Sequence, residues 1–263
     1  MDETTYYRDH WLEIEPERLE AYDQMFRWRS EMDPLIAPAA IAPGQSVLDY
    51  GCGPGWLVIE LARRVTASGH VHGLDVNTEL LARAAAHVED AGLGKRVTLH
   101  ALKGDHLPFP DSALDRIVTK NVLEYVDDLA ATLREFRRAL RPGGLLHVVD
   151  SDWGMLAIEP IGHERTTELF AAASIAYRTP LIGRSLFGAM RGAGFSKVSV
   201  QILASADTRG RLAPIVHNMA SYARASGRME GSRIDSILDD LRAAIEAQTY
   251  LLVLPQFLVT GIA

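Results

Sequence analysis

One stretch of the sequence constrains the fold more than any other: a short apolar run that leads into a turn with three glycines at alternate positions. The run is Val47-Leu48-Asp49, and the glycines are Gly51, Gly53 and Gly55. Glycine tolerates a positive φ and has no Cβ, so a ligand can approach the backbone closely. The segment from Trp56 predicts a helix whose unpaired N-terminal amides point at that ligand. A strand, a glycine turn and a helix in this order indicate a cofactor loop.

The spacing of the glycines limits the class of ligand that the turn can bind. A dinucleotide fingerprint has the form G-x-G-x-x-G, and counting from Gly51 and Gly53 its third glycine falls on Trp56, so the pattern fails. Asp49 at the end of the strand repels a diphosphate and suits an ammonium group. These residues favour a ligand with a zwitterionic amino-acid part. The alternative is an ordinary glycine-rich turn of an α/β domain.

Composition and cysteine content restrict the class of protein. Of 263 residues, 48% are hydrophobic and 23% are charged, which is typical of a globular protein. No uninterrupted apolar run of about 18 residues occurs, so we expect no membrane span. The single cysteine, Cys52, excludes an intrachain disulfide and a multi-cysteine zinc site, and we expect no metal. The first residues do not have the pattern of a secretory signal, which favours a cytoplasmic location.

The charges argue against nucleic acid as a partner. The chain has 34 acidic and 27 basic residues, a net charge of −7, and the basic residues are scattered along it. A protein that binds nucleic acid gathers its lysines and arginines on one surface. We therefore expect a small-molecule partner. The oligomeric state, monomer or homodimer, is left open.

Strands and helices alternate through the first part of the chain. This alternation predicts a doubly wound, mainly parallel α/β sheet of the Rossmann-like type. The carboxyl ends of such strands are where ligands bind in an open α/β sheet. The predicted strands are Val47–Asp49, His70–Val76, Val97–Leu102, Leu114–Thr119 and Leu145–Asp150.

Acidic residues follow two of these strands at positions that suit an adenosine. Asp75 ends the second strand, 20 residues after Gly55. A carboxylate there can accept hydrogen bonds from both ribose hydroxyls; the alternative is an exposed acid that precedes the helix cap Asn77. After the third strand, Asp105 is suitably placed for an adenine amino group.

Five motifs in this order and spacing resemble the class I S-adenosylmethionine-dependent methyltransferases, and within them the ubiquinone/menaquinone-type small-molecule branch. The resemblance is strong over residues 41–150. The motifs are Val47–Gly55, Leu74-Asp75-Val76, Gly104-Asp105, Asn121–Val126 and Leu140–Gly144.

The resemblance implies S-adenosyl-L-methionine as the cofactor and a seven-stranded sheet whose last strand is antiparallel. It assigns three parts of the cofactor to particular residues. Asn121 replaces the frequent histidine of the family, and because an amide is not a base near neutral pH, we expect Asn121 to position the cofactor without transferring a proton. The implied contacts are Asp49, Gly51, Cys52, Gly53 and Gly55 for the methionine end, Asp75 for the ribose hydroxyls, Val76 and Leu80 for the adenine face, and Gly104, Asp105 and His106 for the adenine edge.

The rest of the chain is predicted to complete one methyltransferase domain over residues 1–263. Residues 1–40 form a helical cap, with a helix from Ile14 to Met32, and residues 41–150 form the cofactor-binding core. Phe195–Leu203 and Pro255–Gly261 are the last two predicted strands. Segments 153–177 and 204–249 carry helical patterns and are too long for simple loops, so we expect them to build the acceptor pocket.

The predicted reaction is in-line transfer of the methyl group to a small, largely apolar or aromatic metabolite. A base is needed only if the acceptor must lose a proton. The favoured base is His217, which lies near Tyr222 in the second insertion, and the second is His10; His163, Asp150 and Asp152 are weaker candidates. Aromatic walls are predicted from Tyr7, Trp153 and Tyr222, with core packing as the alternative. An N-terminal aromatic cluster, made of Tyr6, Tyr7, His10 and Trp11, is predicted either to cover the core or to form part of a lid on the active site.

Two other functions are compatible with parts of this pattern. A protein of the same fold can bind the cofactor as a scaffold, or steer a pericyclic rearrangement, without methyl transfer. A nicotinamide-dependent oxidoreductase is the weaker alternative because the dinucleotide spacing fails at Trp56.

Overall fold

The strands of the protein divide between a large sheet and a small one. The structure is a computed structural model that describes residues 2–104 and 106–263. Within these ranges the strands are β1 Ser46–Tyr50, β2 His70–Asp75, β3 Val97–Ala101, β4 Leu114–Lys120, β5 Leu140–Ser151, β6 Ala157–Glu159, β7 Ser196–Leu203, β8 Ala206–Asp207, β9 Leu251–Val253 and β10 Gln256–Ile262.

Helices lie between most of the strands, and two of the described helices begin at residues whose side chains accept hydrogen bonds from free backbone amides. The side chain of Asn77 accepts hydrogen bonds from the amides of Glu79 and Leu80, and Asp128 caps a later helix in the same way. No helix in the described part of the chain is long and apolar enough to cross a membrane. The helices are α1 Tyr6–Leu12, α2 Pro16–Phe26, α3 Asp33–Ile36, α4 Trp56–Val65, α5 Thr78–Asp90, α6 Leu129–Ala139, α7 Gly162–Ala173, α8 Ile182–Gly192, α9 Ala213–Ser226 and α10 Gly231–Glu246.

The large sheet has the strand order β3-β2-β1-β4-β5-β10-β7. Strands β1 to β5 pair in parallel, and β10 pairs antiparallel with both β5 and β7. This arrangement confirms the predicted mostly parallel, seven-stranded sheet with an antiparallel last strand. The strand order reverses between β1 and β4, so their carboxyl ends flank the crevice where ligands bind in open α/β sheets.

Alternating residues of β1 bury against helices on opposite faces of the sheet. Val47 packs in one apolar cluster with Leu61 of α4, and Leu48 packs in another with Phe136 of α6. Both strand residues are fully buried. This alternation is that of a strand with both faces covered, and it fixes the direction in which the next residue, Asp49, points.

The insertions form a second packed unit beside the sheet. Helices α7, α9 and α10 share an apolar cluster with the small sheet, whose order is β6-β9-β8. Residues 153–177 and 204–249 do contain the predicted helices, but the small sheet was not predicted. Its strands are two or three residues long and carry too few residues for a periodic pattern.

Element boundaries differ from the sequence-based expectation by more than two residues at two places. The predicted helix over Ile14–Met32 is split, because α2 ends at Phe26 and a 3-10 turn occupies Ser30–Met32. Strand β5 begins at Leu140, before the predicted start at Leu145. Its pairing with β4 jumps there, because Leu114 pairs with Leu140 while Arg116 pairs with Leu145, so the Pro-Gly-Gly turn bulges out of the ladder.

Truncation of Phe136 tests the core on the α6 side of the sheet. Its ring is fully buried and lies edge-on to Tyr50 at 4.8 Å between centroids. We expect Phe136→Ala to lower the free energy of unfolding by about 3–5 kcal/mol in denaturant titrations. Phe187→Ala is the matched control, because Phe187 on α8 is 41% exposed, and a loss below about 1 kcal/mol is expected there. Equal losses at the two sites would contradict this assignment of the core.

Candidate functional site

A cavity of about 630 Å³ opens at the carboxyl ends of β1 and β4. Its floor is the glycine turn after β1 and the residues that follow β2, β3 and β4. Its roof is α1, the end of α2 and the segment after α2. We group the lining residues by their chemistry: Asp49, Gly53, Asp75, Lys120 and Asn121 are called the polar end of the cavity, and Trp11, Phe26, Trp28, Met32, Tyr125 and Val126 its aromatic end. The two groups adjoin, because Lys120 Nζ lies 5.8 Å from the centroid of the Phe26 ring.

The three glycines of the turn all have positive φ, and they serve two purposes. A Cβ on Gly51 would lie 2.3 Å from Val122, and one on Gly55 would lie 2.8 Å from the Cβ of Ala84 on α5. A Cβ on Gly53 would meet nothing within 4 Å. The first and third glycines therefore permit close packing, whereas Gly53 keeps the backbone open.

Asp75 fastens the glycine turn to the end of β2. Its Oδ2 accepts a hydrogen bond from the amide of Gly53 at 2.7 Å, and its Oδ1 accepts one from Asn77 at 2.9 Å. The carboxyl is 8% exposed, and burial raises its pKa while the two amides oppose that rise. Asp75 lines the cavity beside the loop as the sequence predicts, and it is not the exposed acid of the alternative interpretation.

Asp49 lines the cavity with a carboxyl group that is almost completely removed from water. It is 1% exposed, and among the described residues no donor hydrogen bonds to its Oδ2. Burial, with a smaller effect of the Asp75 charge, raises the pKa of Asp49 to about 8. A carboxyl in this state is stabilised by a cation that enters the cavity.

Apolar residues line the cavity next to its polar end, on the side of β3. Val76, Leu80 and Gly104 line the cavity, and the side chain of Val76 is 39% exposed to it, which is unusual for a valine at the end of a buried strand. Asp105 lies outside the described residues. His106 is not brought to the cavity, because its ring is exposed and its Nδ1 lies 3.7 Å from Glu135.

Lys120 and Asn121 complete the polar end, and Lys120 was missed by sequence analysis. Asn121 has φ +56°, its Oδ1 accepts a hydrogen bond from Lys120 Nζ at 3.0 Å, and its Nδ2 donates to Ser151 Oγ at 3.0 Å. The asparagine is therefore a positioning residue. A lysine directly after the buried run of β4 was the available signal, since charged residues are rarely placed there without a partner.

The aromatic end comes from the N-terminal cap and from the segment after β4. Trp11 lies 5.1 Å from Tyr22 and 5.1 Å from Tyr125, measured between ring centroids. Phe26 stacks on Tyr22 at 5.6 Å. These contacts join α1, α2 and the β4 segment into one wall. Of these aromatic residues, sequence analysis assigned only Trp11 to a cluster over the core or active site.

The structure does not bring the histidines of the insertions to the cavity. His217 lies on the exposed face of α9, where its Nδ1 is 2.9 Å from the carbonyl of Ala213. The buried face of that helix carries Val216 and Ala220 instead. His163 is exposed near the start of α7. The helical period therefore directs both imidazoles away from the site.

His10 lies one layer behind the cavity wall. Its ring is buried against Tyr6, Trp11 and Tyr222, and its Nδ1 is 2.5 Å from the carbonyl of Tyr6. Burial lowers the pKa of His10 to about 4, so the ring is neutral at pH 7. It is a weak base, and it is not among the residues that line the cavity.

The three aromatic residues that were predicted to line the acceptor pocket do not line the cavity, but pack behind its wall. Tyr7 donates a hydrogen bond to Asp127, and that hydrogen bond, with burial, raises the pKa of Tyr7. Trp153 donates from Nε1 to Glu124, the residue before Tyr125. Tyr222 is buried, with its hydroxyl 3.1 Å from that of Tyr22. Each therefore contacts a residue of, or next to, the cavity lining without lining it itself.

The buried acids at the end of β5 have structural partners. Asp150 accepts hydrogen bonds from the amides of Leu123 and Ser151, and burial raises its pKa to about 7. Asp152 pairs with Arg184 through both carboxylate oxygens at 2.6 Å. Neither lines the cavity. Among residues 2–104 and 106–263 no group of three or more His, Cys, Asp or Glu side chains could hold a metal ion.

The order of the sheet, the glycine turn after β1 and the acid after β2 are those of the Rossmann-like fold, in which nucleotides bind at the carboxyl ends of the strands. Residues 47–144 match the family described as methyltransferase domain. This match agrees with the resemblance to the class I S-adenosylmethionine-dependent methyltransferases that the sequence motifs give for the same part of the chain.

Curated proteins are similar to part of the chain, and two of them illustrate the identity and coverage. An uncharacterized 37.1 kDa protein in a transposon of Streptomyces fradiae is 34% identical over 176 residues, which are 65% of this chain and 49% of that protein. A demethylmenaquinone methyltransferase of Lactobacillus johnsonii is 32% identical over 143 residues, which are 54% of this chain and 57% of that enzyme. The chain thus spans about half the length of the curated relatives it matches.

Solved structures share the fold at lower identity. Phosphoethanolamine N-methyltransferase 2 of Haemonchus contortus, in complex with S-adenosyl-L-methionine, is 17% identical with a TM-score of 0.65; the match covers 97% of this chain and 59% of that one. The 4+2 cyclase SpnF is 20% identical with a TM-score of 0.55, over 88% of this chain and 80% of that one. At these identities the comparison shows only that the fold is shared.

Replacement of Asp49 by asparagine tests the state of its carboxyl group. The pKa is about 8 in the folded protein and 3.8 in the unfolded chain, so between these values unfolding releases a proton. The contribution of Asp49 to the free energy of unfolding therefore falls as the pH rises, and Asp49→Asn removes this contribution. We expect the stability of the variant relative to wild type to increase between pH 5 and 7.5, by at most about 1.4 kcal/mol per pH unit, in urea titrations.

The control for this experiment is Asp90→Asn, at the exposed end of α5. It should leave the pH dependence of stability unchanged over the same range. A constant difference between Asp49→Asn and wild type from pH 5 to 7.5 would assign an ordinary pKa to Asp49.

Proposed function

We propose that the protein transfers a methyl group from S-adenosyl-L-methionine to a small, largely apolar or aromatic acceptor. One observation carries this proposal: a single continuous cavity joins the polar end to the aromatic end. A donor held at the first and an acceptor held at the second lie next to each other, as an in-line displacement requires.

The polar end fits the parts of this cofactor. The unpartnered carboxyl oxygen of Asp49 suits an ammonium group, and the open side of Gly53 leaves room beside the backbone. Asp75 can accept hydrogen bonds from ribose hydroxyls, and the exposed side chain of Val76 with Leu80 offers an apolar face to adenine. Cys52, the remaining predicted contact of the turn, also lines the cavity.

The protein needs to supply positioning more than covalent chemistry. When bound, the cofactor supplies a methyl group activated by the positive charge on its sulfur. The aromatic end orients an acceptor and excludes water, through Trp11, Phe26 and Tyr125. No described histidine lines the cavity, so we expect acceptors whose nucleophile ionises readily or carries a free electron pair.

The shape and chemistry of the aromatic end support an aromatic ring with little charge as acceptor. Its walls are indole, phenyl and phenol rings, which bind flat apolar rings by stacking and edge contacts. Arg8, Asp127 and Asp128 stand at the rim and can bind polar substituents. The similarity to demethylmenaquinone methyltransferases supports a quinol-type ring as the first acceptor to test.

A second candidate function keeps the cofactor and omits the transfer. The fold is shared with a 4+2 cyclase, and an aromatic cavity without a histidine in its lining also suits the rearrangement of an apolar substrate. In this case the cofactor would serve as a structural part of the cavity wall.

Product analysis distinguishes the two functions. The purified protein is incubated with S-adenosyl-L-methionine carrying a labelled methyl group and a panel of quinols, phenols and apolar carbon acids. We expect S-adenosylhomocysteine and labelled product to form in equal amounts with at least one aromatic acceptor. Tight cofactor binding without any transfer across the panel would contradict the proposed methyltransferase and favour the second function.

Replacement of Asp75 by alanine tests the ribose contact. Charge-assisted hydrogen bonds of this kind contribute about 1.5–3 kcal/mol, so we expect the Kd for S-adenosylhomocysteine to rise about 10-fold to 150-fold in calorimetry. Asp90→Ala, an exposed acid on α5, is the control and should bind as the wild type does. An unchanged Kd in a folded Asp75→Ala protein would remove Asp75 from the site.

A further inference from the structure

Lys120 lies where the polar end and the aromatic end of the cavity adjoin. It is the last residue of β4 and lines the cavity, and its Nζ is 5.8 Å from the centroid of the Phe26 ring. The other basic residue among the described lining residues, Arg8, is at the rim and pairs with Asp127. An acceptor ring held at the aromatic end, with its reacting atom towards the donor, therefore faces the amine of Lys120.

This amine has hydrogen-bonding capacity to spare. A protonated lysine has three N–H donors. In the part of the chain that the structure describes, one acceptor bonds to it, Asn121 Oδ1 at 3.0 Å, and no carboxylate oxygen lies within 4.0 Å of Nζ. A buried cation in this state is stabilised by an anion that enters the cavity.

A chain of hydrogen bonds from three strands orients the amine. Gln256 Nε2 on β10 donates to Ser151 Oγ on β5 at 2.7 Å, and Asn121 Nδ2 donates to the same oxygen at 3.0 Å. The amide of Asn121 is thereby held with its Oδ1 towards Lys120 at the end of β4. The lysine is thus fixed in direction by neutral groups, and its charge is not neutralised by them.

Charged groups on the neighbouring elements act on Lys120 in both directions. Burial lowers the pKa of Lys120, and the nearby charge of Arg29 lowers it further. The charges of Asp150, Asp49 and Glu124 oppose that shift. The lysine pKa therefore lies below its usual range, so a larger fraction of this amine is neutral near pH 7 than of an exposed lysine. A neutral amine accepts a proton, and the ammonium that it becomes attracts an anion.

We propose that Lys120 is a catalytic residue for the acceptor: its amine takes the proton of an acidic aromatic hydroxyl and, as ammonium, pairs with the oxyanion that remains. This inference deepens the proposed function and rests on it, because it takes an aromatic acceptor as given. It supplies a base in a cavity that no described histidine lines. Asn121 acts as the positioning residue for the amine.

The step conserves protons and electrons. The O–H bond of the acceptor breaks, its proton moves to the lone pair of Nζ, and the oxygen keeps the bonding electrons. That electron pair, on the oxygen or delocalised to a ring carbon, forms the bond to the methyl carbon, while the departing sulfur keeps the electrons of the bond that breaks. The proton stays on Lys120 and passes to water when the product leaves. Pairing with the oxyanion also offsets the repulsion between the ammonium and the positive sulfur of the donor.

The ionisation of a bound phenol tests this inference without turnover. The probe is 4-nitrophenol, because its anion absorbs visible light and its protonation state can be read while it is bound. The protein is saturated with S-adenosylhomocysteine, whose sulfur carries no charge, and the bound probe is titrated with pH. In the wild type we expect the pKa of the bound phenol to lie about one unit or more below its value in water, since an opposite charge nearby favours the anion.

Variants of Lys120 assign this shift to the amine. In Lys120→Met the pKa of the bound phenol should return to its value in water or rise above it, because burial favours the neutral form. Lys120→Arg keeps the charge and should retain the shift. Because a guanidinium is not deprotonated, Lys120→Arg should still lower kcat about 100-fold with an aromatic acceptor found by product analysis.

The control is Lys95→Met, an exposed lysine in the 3-10 turn after α5, which should leave the pKa of the bound phenol as in the wild type. All three variants should keep the Kd for S-adenosylhomocysteine within about twofold of the wild type in calorimetry.

The outcomes distinguish this inference from the proposed function. A bound phenol whose pKa is unshifted in the wild type, or shifted equally in folded Lys120→Met, overturns the role of Lys120 and leaves the proposed function intact. A Lys120→Met protein that binds S-adenosylhomocysteine about tenfold more weakly assigns the amine to the cofactor and overturns the inference in the same way. A wild-type protein that binds S-adenosylhomocysteine but no 4-nitrophenol contradicts the aromatic end as the acceptor site, and the inference falls together with the proposed function.

Discussion

Charge buried at the carboxyl edge of the sheet is the constraint on which the site depends. The floor of the cavity holds Asp49 and Asp75 on neighbouring strands, with the amine of Lys120 on the next strand. Charges removed from water are tolerated where hydrogen bonds or counterions meet them. Asp75 accepts hydrogen bonds from two backbone amides, whereas Asp49 and Lys120 lack ion-pair partners in the described chain. This difference marks the part of the cavity that a charged ligand would complete.

The insertions support the cavity from behind and do not line it. Trp153 hydrogen bonds to Glu124, whose carbonyl also accepts from the amides of Arg178 and Thr179, and the next residue is Tyr125 of the aromatic end. Tyr222 of α9 packs against α2 through Tyr22. The aromatic end of the cavity therefore comes from the cap and from the segment after β4. The shape of the aromatic end depends on residues of the insertions that do not themselves line the cavity.

Patterns that are local in the chain were sufficient to predict the sheet and the polar end. Five strands, the glycine turn, Asp49 and Asp75 each follow from short periodic or motif signals, and the structure brings them together. Side-chain direction on the added helices was not predictable in this way. His217 shares its helix with the buried Val216, and one residue of helical rotation separates the exposed face from the buried one. The aromatic end, apart from Trp11, was missed because its members lie up to 115 residues apart in sequence and meet only after folding.

A crystal structure of the protein with S-adenosylhomocysteine is the most direct measurement. We expect the amino group within hydrogen-bond distance of Asp49, the ribose hydroxyls on Asp75, and the sulfur facing the chamber between Trp11, Phe26 and Tyr125. A sulfur that faces the insertions, or an adenosine bound outside the glycine turn, would contradict both the orientation of the donor and the assignment of the aromatic end as the acceptor site.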